Sequence, residues 1–248
     1  MIFAIIAAGE GSRLAAEGIR SPKPLVKVHD EHLVDRLIRI FMNCHAEEIH
    51  VICNDLTPLV SRHLEEIATN GLNGVRIPLK YIVKSTPSSM HSFFELSPYL
   101  RHRPFVLTTV DTIFREDDFV EYINHFEQWL QEGGDGLMGV TDYIDDEKPL
   151  YVGTDAEMNI TGFYDNDTGH LKYISGGIYG LNHHAIETLN NCMNRGESRM
   201  RNFQRGLVKD ARKLKAFNFT KVLDIDHASD IRKAEEFIGL AGKTADNE

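Results

Sequence analysis

Two spacings of hydrophobic residues alternate along the first half of the chain. Ile2 to Ala7 form a continuous apolar run, the pattern of a strand buried on both faces. Segments 49–53, 79–83 and 105–110 read as further strands. Between them, apolar residues at 33, 34, 37, 38, 40 and 41 repeat with helical spacing, and 57–69, 89–100 and 116–130 also read as helices. Strands alternating with helices in this way predict a parallel sheet with helices on both faces. After Gly133 the pattern changes. Segments 137–141, 158–164 and 171–181 are strand-like with few helical signals between them, and helices resume over 184–193 and 202–214. A strand over 222–225 and a last helix over 229–240 close the chain. The expected fold is α/β: a Rossmann-like, mostly parallel sheet, with a more antiparallel insertion in the second half. No Pro/Gly/Ser-rich linker divides the chain, and the boundary near residue 135 is a change of pattern. Phe126 and Trp129, three apart on one helix, are expected in the core.

Composition narrows the class. Of 248 residues, 42% are hydrophobic and 26% charged, the usage of a globular chain. The formal net charge of -10 argues against a nucleic acid partner, which would select a basic stripe. Cys44, Cys53 and Cys192 form no paired motif, so neither a zinc knuckle nor a disulfide framework is indicated. The longest apolar run, ending at Ala8, is far short of the ~18 residues of a membrane span and follows no basic segment, so a cytoplasmic, membrane-free protein is expected. The twelve histidines show no H-E-x-x-H motif and are expected to form no tight ligand cluster, and His183–His184 reads as a surface pair.

The strongest local signal follows the first strand: Ala7-Ala-Gly-Glu-Gly-Ser-Arg-Leu14, then Ser21-Pro-Lys-Pro-Leu-Val-Lys27. Gly9 and Gly11 permit a tight turn whose backbone N–H groups can approach a phosphate. A dinucleotide fingerprint needs a third glycine at Leu14, so an oxidoreductase is disfavoured. Gly242-Lys-Thr244 matches the end of a P-loop, but Phe237 stands where its first glycine belongs. What remains is Arg13 on the glycine turn and Lys23 between two prolines that stiffen its backbone, a fork of donors beside a point charge, suited to a polyphosphate.

With those residues in view, AAGEGSRL followed by PKPLVKV resembles the signature of the nucleotidyltransferase superfamily. That superfamily includes sugar-1-phosphate nucleotidylyltransferases, phosphocholine cytidylyltransferase and molybdenum-cofactor guanylyltransferase. The resemblance implies a nucleotide-diphospho-sugar transferase-like fold in one domain over 1–248, with a nucleotide-binding half (1–134) and an acceptor-binding half (135–248). It implies Ala7, Ala8, Gly9, Gly11 and Ser12 at the nucleotide. Lys23 would act at the α-phosphate and Arg13 at the β- and γ-phosphates. Ser88 and Ser89 fall where relatives contact base and ribose.

Nucleotidyl transfer needs charge neutralised on both attacking and leaving oxygens, which divalent cations on hard carboxylates do. Asp111 follows an apolar strand at its C-terminal end, where open sheets bind ligands, and it looks like the family's metal-binding aspartate. Val222-Leu-Asp-Ile-Asp226-His-Ala-Ser-Asp230 resembles the family's second carboxylate segment. Asp226 stands at the ligand position, Asp224 is the alternative on the same face, and Asp230 is expected to support the following helix. Gly176 and Gly177 resemble the strand that backs the acceptor pocket. The Glu-Lys-Pro of hexose-phosphate enzymes is not visible; the nearest segment is Tyr164 to Asp167. The expected activity is Mg²⁺-dependent transfer of NMP from an NTP to a small phosphorylated acceptor, such as a sugar-1-phosphate or a phosphocholine-like molecule. The alternative is a non-catalytic nucleotide-binding regulatory protein on the same fold.

Overall fold

The computed structural model describes residues 1–145, 148–167, 169 and 171–239. The P-loop-like Gly242–Thr244 and the last residue of the helix expected over 229–240 lie outside the described residues.

The run Ile2–Ala7 forms β1, paired in parallel on one side with β4 (Glu48–Cys53) and on the other with β6 (Phe105–Thr109). β5 (Leu79–Val83) extends the parallel sheet beyond β4. On the β6 side the chain turns antiparallel. β11 (Tyr173–Leu181) pairs antiparallel with both β6 and β8 (Gly136–Thr141), and β12 (Leu214–Asn218) lies parallel to β8 at the edge. The order β5-β4-β1-β6-β11-β8-β12 is therefore parallel except for β11. A hairpin of β9 (Tyr151–Thr154) and β10 (Ile160–Tyr164) joins the start of β11. This is the expected mostly parallel α/β sheet, its antiparallel insertion made by β11 and the β9–β10 hairpin.

Strand alternation divides the core in two. Phe3, Ile5 and Ala7 pack in one apolar layer with Leu37, Phe41 and Phe119, whose helices are α2 (Leu33–Asn43) and α5 (Glu116–Gln131). Ile2, Ala4, Ile6 and Ala8 enter the opposite layer. There they meet α4 (Ser89–Leu100), α6 (Ala185–Asn194) and α7 (Met200–Lys209). A strand apolar at every position is what a sheet covered on both faces requires. α3 (Pro58–Asn70) and α8 (Ala228–Gly239) complete the first layer, a short α1 (Ser12–Ala16) follows the glycine turn, and a two-residue hairpin of β2 (Lys27–Val28) and β3 (Glu31–His32) leads into α2.

Three readings of the second half are corrected. The helix expected over 202–214 stops at Lys209, where Ala211 takes a left-handed conformation (φ 54°), and Leu214 begins a strand because β8 offers it an open edge. β9 carries only four residues and was not anticipated. The expected strand over 222–225 is reduced to β13 (Leu223–Asp224). It leaves the main sheet to pair antiparallel with β7 (Thr112–Ile113). Phe126 is fully buried as expected, and Trp129 is half-buried with its indole N–H donated to the Gly136 carbonyl at 3.1 Å. Among the described residues no helix is long and apolar enough to cross a membrane.

Candidate active site

The C-terminal ends of β1 and β6 open on a cavity of about 510 Å³, within the ~300–1,000 Å³ range of small-molecule sites. Its walls come from three pieces of chain: 8–14 after β1, 86–89 at the start of α4, and 109–111 after β6. Ile6, Lys23, Ser92 and Asp226 complete it. Gly11 caps α1 in a left-handed conformation (φ 64°), and a Cβ there would stand 3.2 Å from the Cβ of Lys23. Glycine at this position lets the Lys23 segment, a 3₁₀ turn over Lys23–Leu25, lie against the loop.

Lys23 is the centre of the cluster. Its side chain is only 10% exposed, and its Nζ donates to Asp111 Oδ2 at 2.5 Å and to Asp226 Oδ1 at 2.8 Å. Arg13 donates to the other oxygen of Asp226 at 2.7 Å. The chain thus brings Arg13, Lys23, Asp111 and Asp226 into one contiguous set. Burial alone would push the Lys23 ammonium down, but the adjacent carboxylates outweigh it and hold the group charged well above the ordinary lysine range. For Asp226, burial pushes the carboxyl up, and Lys23 and Arg13 reverse this to leave it below the usual carboxylate range. Both groups are charged at neutral pH.

The β7–β13 pairing explains how two carboxylates so far apart in sequence meet. Val110 and Asp111 form the break between β6 and β7, and the amide of Ile225 donates to the Asp111 carbonyl at 3.1 Å. Asp226 follows directly. Asp230 supports the helix start as expected: its carboxylate accepts from the amides of Asp226 (3.2 Å) and His227 (2.8 Å). Glu17 accepts from the Ala228 amide at 2.7 Å and pairs with His227 Nδ1 at 2.5 Å, tying the end of α1 to the start of α8. Hydrogen bonding to His227 lowers the Glu17 carboxyl below its ordinary range.

A second cavity of about 300 Å³ shares Arg13 and Asp226 with the first. Gly176 lines it, as do Asp224, Lys148 and Lys233. Gly176 and Gly177 form a bulge in β11, where its register against β8 slips between Ser175 and Ile178. Gly177 (φ 71°) turns back toward Thr109 and Thr112 and does not line that cavity. Asp224 and Asp226 reach the same cavity, but it is Asp226 that contacts Lys23 and Arg13.

Other sequence candidates are placed as follows. Ala8, Gly9, Gly11, Ser12, Ser88 and Ser89 line the first cavity. Ala7 does not, because alternation turns it into the opposite core layer. The Ser88 hydroxyl caps α4, accepting from the His91 amide at 3.5 Å and pairing with His91 Nδ1 at 2.9 Å. Sequence reasoning missed Thr86 and Ser92, whose hydroxyls pair at 2.6 Å in the cavity wall. It also missed Asn54, whose side-chain amide donates to the carbonyls of Ala8 and Gly9 and clamps the glycine turn. Its position just past β4, at the ligand-binding edge of the sheet, was the available signal. One reading about the histidines is overturned: His32 and His63 converge on Asp35.

Sheet order and site location place the chain among open α/β proteins that bind ligands at the carboxyl edge of the sheet. The sequence profile of the family described as Nucleotidyl transferase matches residues 3–239. The chain therefore belongs to the nucleotidyl transferase family and is a nucleotidyltransferase. No curated protein sequence is significantly similar to it. Solved structures share its fold at low identity. A Bacillus anthracis protein assigned as a glucose-1-phosphate thymidylyltransferase, in complex with sucrose, superposes with TM-score 0.81 at 16% identity, covering 96% of this chain and 95% of that one. The inositol-1-phosphate CTP transferase of T. maritima gives 0.71 at 18% identity, with 96% and 97% covered. A UDP-glucose pyrophosphorylase complexed with UDP-glucose gives 0.78 at 13% identity, with 95% and 97% covered.

Proposed function

We propose that this chain transfers a nucleoside monophosphate from an NTP to a small phosphorylated acceptor, of the sugar-phosphate class that its structural neighbours handle, with release of pyrophosphate. The observation that carries this reading is Lys23 held between Asp111 and Asp226 in the larger cavity, which shares Arg13 and Asp226 with the smaller one. The larger cavity suits the nucleotide, with the glycine turn toward the phosphates and the 86–89 segment toward base and ribose. The smaller, where Arg13, Lys148 and Lys233 stand among Asp145, Asp224, Asp226 and Asp230, would take the acceptor, with its phosphate toward those cations.

The donor set fits Mg²⁺, since Asp111 and Asp226 offer hard carboxylate oxygens that both face the Lys23 ammonium, and an ion bound between them would take that ammonium's place. Held there, the ion would supply charge neutralisation on the phosphate oxygens. Lys23 would stabilise charge at the α-phosphate from a backbone stiffened by flanking prolines, and Arg13 would orient the β- and γ-phosphates.

Pyrophosphate release measured across four NTPs and a panel of phosphorylated sugars, polyols and aminoalcohols tests the reading. One NTP–acceptor pair is expected to give Mg²⁺-dependent turnover that chelation abolishes. Tight, metal-independent nucleotide binding with no pyrophosphate from any acceptor would overturn it.

A further inference from the structure

We propose that His32, Asp35 and His63 form a site for a transition-metal cation of the Zn²⁺ class, separate from the Lys23 cluster. His32 precedes α2, Asp35 lies in its first turn three residues on, and His63 projects from α3. His32 Nδ1 stands 3.0 Å from Asp35 Oδ2, and His63 Nε2 stands 2.6 Å from Asp35 Oδ1. One ligand atom from each residue lies within 4.8 Å of the others. In a tetrahedral site with bonds of ~2.0–2.1 Å, neighbouring ligand atoms are ~3.3 Å apart, so small side-chain rotations suffice to admit an ion. The three side chains are 27%, 13% and 22% exposed, which leaves an opening for the ion and for water as a further ligand.

The donor types decide the class of ion. Two imidazole nitrogens with one carboxylate favour Zn²⁺, Co²⁺ or Ni²⁺ over Mg²⁺ and Ca²⁺, which prefer oxygen alone. None of the three residues lines the 510 Å³ cavity. A bound ion would instead clamp α2 to α3. α2 already anchors the neighbouring loop, because Arg36 donates to the Phe114 carbonyl at 2.7 Å and Arg39 bridges Glu31 and Glu116.

The test uses the full chain stripped with chelator, titrated with Zn²⁺ by calorimetry and with Co²⁺ by visible absorption. Wild type is expected to bind one Zn²⁺ that raises Tm by ~5 °C or more at a hundredfold excess over Kd, and to give Co²⁺ d–d bands of a nitrogen-containing site. His32→Ala and His63→Ala should each weaken Zn²⁺ at least ~100-fold, since even partners behind metal ligands cost 10–100-fold. His63→Gln is the companion variant if His63→Ala folds poorly, and a double His183→Ala/His184→Ala variant should retain the site. Absence of stoichiometric binding by wild type, or its survival in both His32→Ala and His63→Ala, would overturn the proposal and leave a hydrogen-bonded link between two helices.

Discussion

Replacing Lys23 by Met removes the cation between two carboxylates while keeping much of the side-chain volume. The ammonium lies 2.5 Å from Asp111 and 2.8 Å from Asp226, at 10% exposure. Breaking a fully buried pair costs ~3–5 kcal/mol because a charge is left uncompensated. Here Asp226 is 40% exposed and can be rehydrated, whereas Asp111 at 20% is less accessible. Discounting for that exposure leaves ~2 kcal/mol. For a chain of this length ~2 kcal/mol corresponds to a fall in Tm of ~4–8 °C. A divalent cation can replace the missing charge, so millimolar Mg²⁺ should restore most of the lost Tm in Lys23→Met. It should not restore turnover, because the group proposed at the α-phosphate is gone. A loss of at least tenfold in kcat/KM, ~1.4 kcal/mol, is a modest demand on one charge-assisted contact. Thermal scans with and without Mg²⁺, alongside pyrophosphate release, provide the assay. A metal-free Tm within ~1 °C of wild type would refute the charge argument. Unchanged kinetics would refute the catalytic assignment.

Arg13→Ala should behave in the opposite sense: its pair with Asp226 is exposed, so stability should stay within ~0.5 kcal/mol of wild type, while KM for the NTP rises about tenfold through loss of one phosphate contact. Kinetics together with urea denaturation check both halves. Gly177→Ala places a Cβ 3.1 Å from Thr112 Oγ1 at φ 71° and should cost ~1–2 kcal/mol, with Gly9→Ala, where a Cβ meets nothing within 4 Å, as a near-neutral control in the same denaturant series. His50 is pushed below the ordinary histidine range by burial, against the smaller opposing effect of Glu48. The unfolded chain therefore binds a proton there before the folded one does. Stability should fall as pH drops below ~6.5 toward the folded-state value. His50→Gln should flatten that slope, and an NMR midpoint for His50 at or above ~6.5 would contradict the sign.

How far the fold was legible depended on what each segment could settle locally. β1 is apolar at all six positions and can only be a doubly covered strand. Arg13, Lys23 and Asp111 stand on or beside such unambiguous elements, and the structure brings them into one cluster. Segment 214–218 was misread because Leu214 and Ala216 alternate over too few residues to compete with the helical run before them, and only the free edge of β8 decides the matter. β13 presents a similar case: two residues leave the main sheet to meet β7, a pairing fixed by a segment more than a hundred positions earlier in the numbering. The His32–Asp35–His63 cluster was invisible for the same reason, since His63 reaches the other two across two helices and shares no spacing motif with them.

The β7–β13 pairing also has a consequence for the order of events during synthesis. The glycine turn, Lys23 and Asp111 all lie within the first 111 residues. The second carboxylate meets the Lys23 ammonium two residues past the point where Leu223 and Asp224 pair with Thr112 and Ile113. That contact closes one of the longest loops in the chain, and loop closure of this kind is a slow entropic step. A ribosome-bound fragment that stops short of residue 226 has half of its carboxylate pair and an ammonium with a single partner. Completion of the centre thus rests on one two-residue backbone ladder that joins segments more than a hundred residues apart.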